Sequence, residues 1–117
     1  MLSVKSLPSK NEKNSQYVYF IRVGELSDRL YKIGTTNDPR RRMQEHARSY
    51  GKEIFPIWLS PPLTSKYTTL RVEERMIGLW RENETEWKYL RNDRFVIPED
   101  VTKIVIKIRN EYEVILE

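Results

Sequence analysis

The apolar positions of this chain change period as it runs, and each change marks an element. Tyr17-Val18-Tyr19-Phe20-Ile21-Arg22-Val23 is β-branched and aromatic almost without a break, which predicts a strand. Gly24 to Asp28 is turn material. Leu30-Tyr31-Lys32-Ile33-Gly34 predicts a second short strand, near enough to pair with the first as a hairpin through a loop longer than two residues. Asn37 or Asp38 then offers an N-cap, with Pro39 at the first helical position. Arg40 to Arg48 holds no breaker. Met43 and Ala47 form a thin stripe with Tyr50 one turn on, and Gly51 closes the helix. Glu53 to Leu59 predicts a third strand, in which Pro56 marks an edge or a bulge, and Pro61-Pro62 stops it.

Residues 66–82 predict a longer helix. Leu70, Glu73, Ile77 and Trp80 fall on one face with Met76 beside them; an alternative register runs Leu70, Met76, Ile77 and Leu79 and leaves Glu73 at its margin. Asn83-Glu84-Thr85 connects to Glu86–Leu90, which alternates like a short strand. Pro98-Glu99-Asp100 opens a last helix through Val101, Ile104, Val105, Ile108, Tyr112 and Ile115, although Ile104-Val105-Ile106 has the chemistry of a strand. Residues 1–16 are polar and rich in Ser, Lys and Asn, and are expected to form a flexible arm before a single domain over 17–117. The order β-β-α-β-α plus a C-terminal helix describes an α+β domain: a small three-stranded, mainly antiparallel sheet flanked by helices.

Composition narrows the chemistry. The 117 residues suffice for one domain with a real core. There is no cysteine and one histidine, His46. That excludes a disulfide scaffold, a thiolate nucleophile and a His-rich metal cage within one chain. No apolar run approaches the roughly 20 residues that span a bilayer, and Met1–Gln16 lacks the apolar stretch of a secretory signal. The expectation is an intracellular protein, cytoplasmic or nuclear, without a membrane. The net charge of +4, with a pI near 9.4, favours anionic partners mildly. It lies in the first half of the chain and is densest at Arg40-Arg41-Arg42.

Four features are candidates for function. Tyr17 and Tyr19, two apart, face one side of their strand, where the plainest role is packing. Lys32 sits among apolar strand residues. Arg42 and His46, four apart, share a helix face. Glu73 lies on or beside the apolar stripe of the second helix, where a carboxylate must pair, bind a metal or accept several hydrogen bonds.

Together, Tyr17-Val18-Tyr19-Phe20-Ile21, then Tyr31-Lys32-Ile33-Gly34-Thr35-Thr36, then Arg42-x-x-x-His46 resemble a GIY-YIG nuclease domain, closest to the phage and viral branch with K-I-G as its second motif. The resemblance runs from Tyr17 to about Tyr89. It implies a hydrolase that cuts DNA phosphodiester bonds with a divalent metal, Mg²⁺ or Mn²⁺. By position it implies Tyr19 as the first-motif tyrosine, orienting or deprotonating the attacking water. It implies Arg42 as the phosphate-neutralising arginine and Glu73 as the metal ligand, with Glu74 the neighbouring candidate. Tyr17 stands where the family has glycine, and Lys32 where it has the second tyrosine. Lys32 is expected to favour ionisation of Tyr19, and His46 to contact phosphate or shuttle a proton. Arg40, Arg41, Arg48 and the amino-terminal lysines are expected to provide non-specific phosphate contacts. The expected partner is DNA or RNA, bound by a monomer or homodimer, with low sequence specificity unless a protein partner supplies more. The alternative is a catalytically inactive nucleic-acid-binding or protein-interaction module on the same fold.

Overall fold

The computed structural model describes residues 3–82, 88–89, 94–96, 103 and 106–110. Its elements are β1 (Tyr17–Val23), β2 (Leu30–Thr36), α1 (Pro39–Tyr50), β3 (Ile54–Leu59), α2 (Lys66–Glu82), β4 (Lys88–Tyr89) and β5 (Arg94–Val96). The strands form one antiparallel sheet in the order β3-β1-β2-β5-β4. The expected sheet is its core, β3-β1-β2, and the two short strands extend it beyond β2. Of the candidate strand at 86–90, Lys88 and Tyr89 are β4, and the other three positions lie outside the described residues. So does most of the expected last helix, although 103 and 106–110 are helical.

Every residue of β1 is buried, because β1 is central and each face carries a helix. Tyr19, Ile21 and Val23 pack with Met43 of α1, Ile54 and Leu7 on one face. Val18 and Phe20 pack on the other with Tyr31, Ile33, Val72, Met76 and Ile108. The alternation of strand side chains thus assigns α1 and α2 to opposite faces.

α1 begins and ends where its sequence directs. The Asp38 side chain accepts the Arg41 amide at 3.3 Å, Pro39 takes the first turn, and Gly51 stops the helix at φ +62. Pro56 has both expected signatures: β3 is an edge strand, and its register against β1 shifts between Phe20, opposite Trp58, and Ile21, opposite Pro56. In α2 neither predicted register is adopted. Thr69, Val72 and Met76 are buried, Leu70 is 47% exposed, and Glu73 is half-buried at the margin of the stripe.

Of residues 3–16, expected as an arm, Val4 and Leu7 pack on the α1 side. Leu7 is buried in the core of that face, and Arg40 grips the segment, its amide donating to Pro8 O at 3.2 Å and its Nε to Leu7 O at 3.1 Å. No helix among the described residues is long and apolar enough to cross a membrane.

Candidate active site

The hairpin register places Tyr19 opposite Gly34 and Ile21 opposite Lys32, so the tyrosine and the lysine share the face covered by α1. A Cβ built at Gly34 would fall on the Tyr19 hydroxyl and lie 2.5 Å from its Cζ and 3.0 Å from Cε2. The hydroxyl end of the Tyr19 ring lies over the glycine, and no other residue leaves room for it. This close approach gives the glycine of the K-I-G sequence a physical role.

From the other side α1 delivers Arg42 and His46, one turn apart. The Tyr19 hydroxyl lies 2.8 Å from His46 Nε2, and the positive charge of Arg42 acts on the same phenol. Burial raises the Tyr19 pKa to about 12; Arg42 opposes the shift, while the charges of Tyr50 and Glu73 add to it. Burial likewise lowers the His46 pKa to about 4, helped by the positive charges of Arg42 and Lys32 and opposed by Glu45. At neutral pH both groups are therefore uncharged. The imidazole tautomer sets the direction of their hydrogen bond: with the ring proton on Nδ1, the phenol donates to Nε2. Burial opposes the charge of Arg42, but its interactions with Tyr19 and Glu45 outweigh that and raise its pKa. Arg42 remains half-exposed, with Glu45 at 3.2 Å.

The predicted residues divide accordingly. Tyr19 and His46 meet in a hydrogen bond, and the charges of Arg42, Lys32 and Glu73 are felt by the pair. Lys32 is buried and its charge acts on His46, while Arg42 is the cation that opposes the rise in the Tyr19 pKa. His46 is buried, with Nε2 2.8 Å from the Tyr19 hydroxyl. Arg40 is engaged with the amino-terminal segment. Arg41 pairs with Glu45 at 3.2 Å, and Arg48 is exposed. Tyr50 was read only as packing. Its ring stacks on His46 with centroids 5.7 Å apart at 22°, and its spacing of four from His46 was the signal.

Residues 16–109 match the T5orf172 domain. The chain belongs to the T5orf172 domain family. T5orf172 domains are GIY-YIG-like, phage-associated and nuclease-related, so the coarse relation implied by the hairpin and helix motifs holds. The match spans β1 to the helical residues 106–109 and so includes every candidate residue described above. No curated protein and no solved structure matches the chain.

Proposed function

We propose that this T5orf172 domain is an endonuclease that hydrolyses DNA phosphodiester bonds with a divalent metal and with modest sequence specificity. The observation that supports it best is the Tyr19 hydroxyl 2.8 Å from His46 Nε2, with the charges of Arg42 and Glu73 acting on the same phenol.

The donor set bears on the metal. Among the described residues no three His, Cys, Asp or Glu side chains gather, so a cage built from protein alone is not offered. Glu73, half-buried, is the carboxylate whose charge reaches Tyr19. One carboxylate with waters and phosphate oxygens suits Mg²⁺ or Mn²⁺, which keep several waters and prefer hard oxygen donors. Glu73 would hold the ion, and the ion when bound supplies charge neutralisation for the scissile phosphate.

The chain's own groups do the rest. Arg42, exposed enough to meet solvent, pairs with a phosphate oxygen and stabilises the charge that builds on the pentavalent phosphorus. Tyr19, neutral and fixed, accepts a hydrogen bond from the attacking water on its remaining lone pair. As the water oxygen bonds to phosphorus, its proton passes to the Tyr19 oxygen and the phenolic proton passes to His46 Nε2. The leaving oxygen takes a proton from solvent. Tyr19 therefore orients and relays, and His46 is the proton's destination.

A plasmid-nicking assay with and without Mg²⁺ or Mn²⁺ tests this. Glu73→Ala and Arg42→Ala should each reduce nicking by roughly 10²–10³ with far-UV circular dichroism unchanged. Normal cutting by both would refute the assignment. One observation favours a second reading, a binding module without turnover: Lys32, where a tyrosine is usual, helps drive His46 to weak basicity. That reading expects salt-sensitive retardation of DNA and no cleavage with any metal.

A further inference from the structure

A cavity of about 400 Å³ opens beside the first turns of α2, within the range of small-ligand clefts, roughly 300–1,000 Å³. Its walls come from four places: Asn14 and Gln16 before β1, Thr35 near the end of β2, Leu63 and Thr64 before α2, and Lys66, Thr69 and Leu70 on α2. Thr35 neighbours Gly34, so its side chain faces the α2 side of the sheet, away from the Tyr19 ring. The cavity is thus separate from the hydrogen-bonded pair above.

Its walls are built. Gln16 and Leu63 exchange backbone hydrogen bonds at 2.9 and 2.8 Å. Asn14 is held in the left-handed region, φ +52, with its Oδ1 accepting from Asn37 Nδ2 at 2.7 Å. Among the described residues the Gln16 amide and the Lys66 ammonium make no hydrogen bond or ion pair, whereas Arg41, Arg42 and Lys52 all have carboxylate partners. The chamber therefore joins an apolar Leu70 wall, an amide that can both donate and accept, hydroxyls, and an unpaired cation at its edge. A planar heterocycle with a mixed donor and acceptor edge, attached to a phosphate, matches that set.

Position adds the link to chemistry. Leu70 and Thr69 precede Glu73 by three and four residues, so the cavity wall and the carboxylate occupy adjacent turns of one helix face. A turn rises 5.4 Å, comparable with one or two nucleotide steps of about 3.4 Å. We propose that this cavity receives one unstacked nucleobase of the DNA strand, next to the phosphate that Glu73 and Arg42 address, and that Gln16 reads its edge while Lys66 takes the adjoining phosphate. The inference rests on the nuclease reading and gives the domain a base preference that its basic surface cannot supply.

The test uses the full chain and a single-stranded DNA oligonucleotide carrying 2-aminopurine at successive positions, in EDTA so that nothing is cut. This base brightens when unstacked, and among the described residues no aromatic side chain lines the cavity to quench it. One position should brighten on binding. Gln16→Leu, which removes the reading amide, and Thr64→Trp, which fills the chamber from its exposed rim, should each abolish the brightening. Anisotropy should show affinity weakened only roughly three- to tenfold, what one or two hydrogen bonds carry. Binding with no brightened position, or brightening that survives both folded variants, overturns the cavity proposal and leaves the nuclease reading intact. No binding to DNA, in EDTA or in Mg²⁺, together with no nicking, overturns both.

Discussion

Replacing Gly34 with alanine tests the closest packing in the site. Gly34 is not in the left-handed region, so alanine fits its backbone and should gain about 0.5–1 kcal/mol over glycine in a strand. Against this, the new methyl would lie 2.5 Å from Tyr19 Cζ. The ring has no easy escape, because it is packed with Ile21 and Met43 and its hydroxyl is tied to His46. Overpacking of this kind costs about 1–3 kcal/mol, and losing the His46 hydrogen bond adds about 1 kcal/mol. The expected net loss is about 1–3 kcal/mol, which in urea moves the unfolding midpoint down by roughly 1 M. The decisive measurement is the same substitution in a Tyr19→Leu background, where no ring covers the glycine. There Gly34→Ala should be neutral or stabilising, giving a coupling of about 2–3 kcal/mol between the positions. Equal cost in both backgrounds, within about 0.5 kcal/mol, would mean that the phenol does not rest on Gly34 and that the geometry drawn for its oxygen is wrong.

Two more predictions concern the same face. His46 is the chain's one histidine, so its NMR titration is unambiguous; it should titrate near pH 4 in the folded protein. Since the unfolded chain binds the proton more readily, stability is full above the unfolded pKa of about 6.5 and falls as pH drops toward the folded value, by about 3 kcal/mol in all. His46→Gln should flatten urea midpoints between pH 6.5 and 5, and a folded-state titration near 6.5 would contradict the burial argument. Leu7→Ala should cost about 2–3 kcal/mol in urea unfolding, whereas Lys5→Ala should cost nothing measurable; equal effects would show that residues 3–16 do not contribute to the core.

What was legible in the sequence was local. Asp38-Pro39 and Gly51 bounded α1 because capping is decided within a few residues, and Pro56 announced an irregular edge because a missing amide is intrinsic to the residue. The stripe of α2 was misread because periodicity weighed Leu70 and Ile77 over Thr69 and Val72. Adjacent stripes on a helix differ by one residue, and only the packed sheet decides between them. β5 is three residues long, too short to show an alternation. In the site, residue types could be named from motif spacing, but not which cation serves which group. Tyr19 and His46 are separated by 27 positions, and whether Arg42 or Lys32 reaches the phenol depends on how α1 crosses the sheet. Tyr50 was hidden for a related reason: an aromatic residue on a sparse apolar stripe looks the same whether it packs or stacks on a histidine.

The two rims of the sheet are poor templates for growth. One is the bulged β3, interrupted by a residue with no amide hydrogen to offer; the other is β4, two residues long. Neither presents a long run of backbone groups to a neighbouring chain. Among the described residues, then, the sheet offers little backbone for a second copy to extend, and contact between copies would fall to helices or loops.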